Sequence, residues 1–324
     1  MKLPSFIKRN EKNWAKFESY LKSKSKIDPE EMADLYIEIS DDLSYAITFY
    51  PKSDIVPYLN RLASGAHQKI YKNKKESTNK FINFFKTDFP LEFYKYQKFL
   101  LISFLVFIFF TIIGWYSLTQ DSDFVRLILG DSYVNMTLEN IEKGDPMAVY
   151  KHGNSLDMFL GITINNIMVA IRAYVMGILL LIGTLYIMMY NGVMLGSFLG
   201  FFYQYDLLWE SFRTIWIHGT IEISVIIVAG AAGLVLGSGL LFPGTYTRVE
   251  ALKRSAKAGI RILVSTIPFF VVAGFLEGFV TRHTEMPDFL AIFIIIGSLF
   301  VIIFYYVIYP VLLTKKQNKY KKSS

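Results

Sequence analysis

Residues 216–241 read WIHGTIEISVIIVAGAAGLVLGSGLL, an apolar stretch long enough to cross a bilayer and interrupted near one end by a histidine and a glutamate. About twenty apolar residues span the roughly 30 Å hydrocarbon layer as a helix. An ionisable group carried into that layer costs about 3 kcal/mol on insertion scales and is turned toward a partner or a wet cavity. Positions four apart share a helix face, so His218 and Glu222 point the same way. Ile226, Ala229, Gly233 and Gly237 continue that stripe. The stripe starts polar and ends small, which predicts close packing at one end and an acid and imidazole facing into a bundle at the other.

The composition agrees with that reading. Of 324 residues, 53% are hydrophobic and 16% aromatic, and the mean hydropathy is +0.35, too apolar for an ordinary soluble domain. The expectation is an all-α, polytopic membrane helix bundle of about six transmembrane helices with the lipid bilayer as its first partner. The net charge of +7 resides mainly in segments flanking apolar runs, where it sets orientation, and no nucleic-acid partner is expected. The chain has no cysteine, which excludes thiolate catalysis, Cys-ligated metals and thioether lipid anchors. The charged first ~95 residues lack the apolar core of a cleavable signal peptide.

Residues 1–78 read as a cytoplasmic helical domain. Asp28-Pro29-Glu30-Glu31 forms a capping box with proline at the first helical position. Met32, Tyr36, Ile39, Leu43, Ala46 and Tyr50 then make a narrow apolar seam. Beyond Pro51, the face Ile55, Leu59, Leu62, Ala66 and Ile70 predicts a second helix of an antiparallel hairpin. A shorter helix around Trp14, Phe17 and Leu21 packs across it. After the polar linker KNKKESTN, residues 79–98 carry Phe81, Phe85, Phe89 and Phe93 interleaved with lysines. That pattern suits a helix lying in the membrane surface, or a first span that continues inward. His67 and His152 read as surface residues.

Residues 99–313 hold the six crossings, at 99–118, two within 159–205 joined by a turn near Gly177, then 216–241, 260–280 and 289–313. A basic tail follows at 314–324. The loop 119–157 is acidic and reads as non-cytoplasmic, whereas the loop around Arg248, Lys253, Arg254, Lys257 and Arg261 reads as cytoplasmic. Both termini then lie inside, in a bacterial cytoplasmic (inner) membrane. The run Gly192, Gly196, Gly200 lets another helix approach closely, either within the chain or in a homo-oligomer. Asn165, Asn166, Asn191 and Arg172 are the other polar groups in the spans; Arg172 also has the option of reaching out to the interface. By helix rise, His218, Glu222, Glu277, Asn165 and Asn166 fall in the outer half of the bundle. They predict a polar cavity opening to the non-cytoplasmic face and walled by the second, fourth and fifth spans.

These motifs also carry a likeness. HGTIE at 218–222, the Asn165-Asn166 pair, NGVMLG at 191–196, LFPGTYTR at 241–248 and AGFLEGF at 273–279 occur in an order that resembles the stage II sporulation protein M family, and the amino-terminal helical domain resembles its non-sporulation branch. The resemblance implies an integral membrane protein of the cell envelope. It further implies partners such as peptidoglycan-remodelling enzymes, a small RDD-type membrane protein or a MoxR-type ATPase system. His218, Gly219, Glu222 and Glu277 occupy motif positions, but the family name does not settle their chemistry.

The residues themselves argue against most enzyme classes. HExxH, GxSxG and the phosphate-binding loops are absent. His218, Glu222 and Glu277 are a two-carboxylate, one-imidazole set in the sense of a metal site, but their mutual distance is not given by sequence. No catalytic residue, metal or cofactor is therefore assigned. Two readings stand: a non-enzymatic scaffold for envelope-remodelling partners, in which these groups fix helix packing, and a transporter or proton-linked permease using His218, Glu222 and Glu277 in an outward-facing cavity. A continuous cavity that reaches Glu222 and binds something separates the second from the first, in which side chains seal His218 and Glu222.

Overall fold

The computed structural model describes residues 2–22, 29–72, 80–151 and 154–323, and these form an all-α fold with no strand among them. The capping box at Asp28, the linker residues 73–79 and His152 lie outside the described residues. The chain divides into two units, Met1–Phe81 and Ile82–Ser324.

The first unit contains α1 (Leu3–Lys22), α2 (Pro29–Phe49) and α3 (Ile55–Lys72). Phe6, Trp14 and Phe17 from α1 bury against Leu35, Ile39 and Ala46 of α2 and Leu59 and Leu62 of α3. One polar contact is built into this core. Asp42 accepts hydrogen bonds from Trp14 Nε1 at 2.8 Å and Asn10 Nδ2 at 3.1 Å. Partial burial holds its carboxyl above the ordinary carboxylate range.

The second unit contains six helices long and apolar enough to cross a membrane: α4 (Lys80–Gln120), α7 (Ser155–Ile178), α8 (Ile182–Gln204), α9 (Leu208–Leu241), α10 (Arg248–Thr281) and α11 (Asp288–Lys319). Two short helices, α5 (Phe124–Leu129) and α6 (Asp131–Glu142), lie between α4 and α7. The bundle is built around α9. Of its most apolar stretch 78% is buried, against 17–39% in the other five. Only a helix of small residues can be surrounded in this way, and glycines and alanines recur along α9 from Ala229 to Gly239.

Backbone contact at glycine sets the packing. A Cβ on Gly233 would lie 2.2 Å from the Ala173 carbonyl oxygen of α7, and one on Gly237 would lie 2.5 Å from that of Gly177. The run on α8 meets α4 in parallel. Cβ atoms on Gly192, Gly196 and Gly200 would come within 2.7 Å of Phe107 O, 2.0 Å of Thr111 O and 2.9 Å of Leu118 Cδ2. The run therefore contacts a helix of the same chain.

Four expectations are corrected. The turn between α7 and α8 falls on Leu180 and Leu181, at φ 53° and 72°, and not on Gly177. A Cβ there would sit 2.1 Å from the Gly233 carbonyl, so Gly177 serves helix contact and the left-handed turn falls on leucines, at roughly 1 kcal/mol or more each. Second, residues 79–98 do not present one phenylalanine face to lipid. Phe81 is exposed, but Phe89 and Phe93 are buried against Tyr305 and Tyr306 of α11, and Glu92 pairs with Arg261 of α10. A four-residue step advances about 40° beyond a full turn, and the π-helical turn Phe84–Asp88 rotates the register further, so the rings wind from surface to core. Third, α9 begins at Leu208 and runs 34 residues, about 51 Å. Fourth, α10 begins at Arg248 and absorbs the basic loop. Helix outside the hydrocarbon layer needs no apolar run, so hydropathy marks neither extension.

The Gly196→Leu variant should melt well below wild type, with overpacking costing about 1–3 kcal/mol. Gly161→Ala, where a Cβ meets nothing within 4 Å, should melt at or slightly above it. Thermal unfolding in detergent measures both, and equal melting of the two variants contradicts the packing argument.

Candidate functional site

The polar groups of α7, α9 and α10 meet at the end of the bundle where α5, α6 and the 3₁₀ turn Ala148–Tyr150 lie. Asn166 Nδ2 donates to Glu222 Oε1 at 2.6 Å. His218 is buried, 4% exposed. Its Nδ1 lies 2.9 Å from Thr281 Oγ1 and its Nε2 lies 3.6 Å from Glu277 Oε2. One ligand atom from each of His218, Glu222 and Glu277 falls within 4.8 Å of the other two. Tyr150 closes the group from above, its ring 5.9 Å from the imidazole. Desolvation raises that phenol well above its ordinary value.

A local irregularity aims two of these side chains. At its end α10 widens into a π-helical turn, Leu276–Thr281, of the kind found mostly as single turns at functional sites. Glu277 and Thr281 come from that one turn and reach the two nitrogens of the same ring. Arg282, just beyond, bonds Ser155 Oγ and the Lys151 carbonyl, which ties the turn to the start of α7. Sequence reading missed Thr281 and Tyr150 as neighbours of the histidine, since nothing in LEGFVT marks a π turn.

A cavity of about 640 Å³ reaches the cluster, with His218, Gly219 and Glu222 in its lining. Asn165, Asn166 and Arg172 of α7 and Tyr190, Asn191 and Met194 of α8 form its sides, with Ile128, Leu129, Tyr133 and Tyr150 at one end. Two features of the expected cavity are corrected. Its walls are the second, third and fourth spans with Phe107 of the first, because Glu277 lies behind His218 and does not line it. The exposed lining residues are Asn165, Arg172, Tyr190 and Met194, on the flanks of α7 and α8, so the cavity opens sideways between these spans while α5, α6 and Tyr150 cover its end.

The remaining polar residues take different places. Arg172 sits toward the far end of the cavity, in the last two turns of α7, and no hydrogen bond or ion pair links it to another described residue. Asn191 lines the cavity but donates within its own helix, to Ile187 O at 2.8 Å. Gly219 differs from the packing glycines, as a Cβ there meets only Ile215 and Ile223 at 3.7 and 3.9 Å. A helix-interior glycine costs roughly 1 kcal/mol relative to alanine. Packing does not require it here, and its effect is to leave space between His218 and Glu222.

Six spans around a buried polar cluster with a side-opening cavity define a polytopic integral membrane protein. The family model for stage II sporulation protein M matches residues 103–282, which include every residue of the cluster, and the chain belongs to that family. A second family, a domain of unknown function (DUF8413), matches residues 4–72, within the first unit. No curated protein and no solved structure matches the chain.

Gly219→Ala should leave the melting temperature unchanged or raise it slightly, by the ~0.5 kcal/mol that a compatible Gly→Ala change contributes. Gly233→Ala should lower it by several degrees. Destabilisation by both to the same extent would show that Gly219 is a packing glycine.

Proposed function

We propose that the chain is a membrane-embedded binding protein of the transporter class, which takes an amphiphilic ligand from within the bilayer into the cavity between α7, α8 and α9. One observation carries this reading. The cavity extends from the flank of the bundle to His218 and Glu222, groups that a purely structural pair would keep covered by side chains. About 640 Å³ falls within the roughly 300–1,000 Å³ of ligand pockets. Its lining suits an amphiphile, because Phe107, Val169, Ile187, Leu195 and Ile226 offer apolar wall and Asn165, Asn166, Glu222 and His218 offer polar partners at one end. No catalytic step is assigned to it.

The scaffold reading rests on a different observation. The first unit has a core of its own and exposes Ile37, Ile47 and Phe49 at separate positions around α2, apolar groups that a partner such as an RDD-type membrane protein or a peptidoglycan-remodelling protein would cover. The two readings apply to different parts of the chain and are compatible.

In the same proposal the end carrying α5 and α6 faces away from the cytoplasm, and both termini lie inside a bacterial cytoplasmic membrane. Support comes from charge: Arg248, Lys253, Arg254, Lys257 and Arg261 gather at one end, and Asp121, Asp123, Asp131, Glu139 and Glu142 at the other, the asymmetry that orients spans.

Two experiments test the proposal. Protein taken from native membranes should carry one amphiphile of defined mass per chain in native mass spectrometry. Gly219→Phe, which fills the space beside His218, should lose that species while keeping its melting profile; retention by both proteins overturns the binding reading. The cysteine-free chain also suits labelling. Ser132→Cys should react with a membrane-impermeant maleimide in intact cells, and Thr245→Cys only after permeabilisation. The reverse pattern inverts the orientation.

A further inference from the structure

We infer that His218, Glu222 and Glu277 bind a first-row divalent metal ion, with Zn²⁺ the natural occupant, at the inner end of the cavity. The site goes beyond the amphiphile reading and does not require that reading to hold.

The first argument is the donor set. One imidazole nitrogen and two carboxylate oxygens suit Zn²⁺ and its first-row neighbours, whereas Ca²⁺ needs six to eight oxygens and the chain offers no thiolate. The ligand atoms already lie within 4.8 Å of one another, with His218 Nε2 and Glu277 Oε2 at 3.6 Å. Tetrahedral bonds of about 2.1 Å place donors about 3.4 Å apart, so movements of about 1 Å in two flexible glutamate side chains complete the geometry.

The second argument is the state of the histidine. It is 4% exposed, and its Nε2 makes no hydrogen bond although Glu277 Oε2 lies 3.6 Å away; the one ring nitrogen with a hydrogen-bonding partner is Nδ1, at Thr281 Oγ1. An Nδ1–H donating to Thr281 leaves the Nε2 lone pair directed at the cluster. Ligating histidines are held in this way, by a neighbour that bonds the opposite nitrogen and fixes the tautomer. Asn166 does the same for Glu222, bonding one oxygen at 2.6 Å.

The third argument is charge. Among the described residues neither Glu222 nor Glu277 has a lysine or arginine partner, and His218 is the one basic group within ion-pair distance. Keeping two buried carboxylates ionised beside each other without a cation is costly, and a single divalent ion would let both ionise. Three protein ligands also leave a coordination position open, the arrangement of zinc sites that accept a water or ligand oxygen. His218, Gly219 and Glu222 line the cavity, so that position faces the space which Gly219 keeps free.

Full-length protein in nanodiscs, stripped with chelator and dialysed, tests the site. Titration with Zn²⁺ against a competing chromophoric chelator should give one ion per chain. His218→Ala and Glu277→Gln should each weaken binding about 100-fold or more, and the positioning variant Thr281→Val about 10-fold, the range seen for outer-shell partners. Co²⁺ in place of Zn²⁺ should give visible d–d bands that change in Glu277→Gln, a signature that a structural role for Glu277 would not produce. Glu277→Gln is close to isosteric, so it gives a result even where His218→Ala fails to fold. Substoichiometric Zn²⁺ on the wild type, or unchanged affinity in Glu277→Gln with unaltered Co²⁺ bands, overturns the inference. The two proposals fail separately: a retained amphiphile without zinc removes the metal site alone, and stoichiometric zinc without an amphiphile removes the ligand reading alone.

Discussion

Backbone-to-backbone contact along α9 is the constraint from which the rest of the membrane unit follows. Between apolar helices in lipid there is no hydrophobic drive to associate, so packing and interhelical hydrogen bonds must supply the attraction. The carbonyls of Ala173 and Gly177 approach Gly233 and Gly237 closely enough that no side chain fits between them. This draws α7 onto α9, and Thr184 Oγ1 of α8 bonds the Ala173 carbonyl at 2.8 Å, adding α8 to the same junction. Ser103 of α4 donates to Ile227 O at 2.7 Å, where Gly230 leaves room beside Met188. Three helices, α4, α7 and α8, are thus fixed to one axis at one end of α9. At the other end, where its small residues give way to Ile217, His218 and Ile221, the same helices stand further off and the cavity lies in the resulting space.

That division explains why polar groups collect where they do. Groups inside lipid have to satisfy one another, because no water reaches them through packed helices. Asn166 and Glu222, His218 and Thr281, and Tyr306 with Ser265 at 3.0 Å are all pairs between different spans. They add directional contacts to the glycine packing, which at Gly278 brings the turn carrying Glu277 and Thr281 against the Ser155 carbonyl of α7. The Tyr306 pair lies in the region of Phe89 and Phe93, and there it seals the core. The His218 group borders the cavity and is not sealed, although its parts are chemically similar.

Much of this was legible in the sequence, and the limits of legibility are physical. Hydropathy located all six spans because lipid imposes a length on apolar runs, and the four-residue steps from His218 to Glu222 and along Gly192, Gly196 and Gly200 gave faces correctly. Sequence reading also drew Glu277, Asn165 and Asn166 toward His218, since helix rise converts position into depth once topology is assumed. Depth, however, says nothing about rotation. The cavity walls were therefore misassigned, as an angular error of about 100° exchanges one neighbouring helix for another. Thr281 and the shape of its turn were invisible because a π turn has no composition of its own, and the left-handed leucines at 180 and 181 were hidden behind a glycine needed elsewhere.

Three of the places where this chain departs from local rules lie together. A glycine at 219 with no neighbour to accommodate, a π turn at 276–281, and two carboxylates without a lysine or arginine partner each have an obvious alternative: alanine, a regular α turn, and apolar side chains of similar volume. Departures of this kind are expected at functional sites, although the π turns Phe84–Asp88 and Phe304–Ile308 and the left-handed Leu180 and Leu181 lie elsewhere in the chain. Here the three border one another around a single imidazole. The π turn also serves helix packing, since Gly278 sits against Ser155 and Phe159 of α7, whereas Gly219 meets only Ile215 and Ile223 of its own helix. Their common consequence is open volume next to a concentrated set of donor atoms, which is what a binding site requires and a structural core does not.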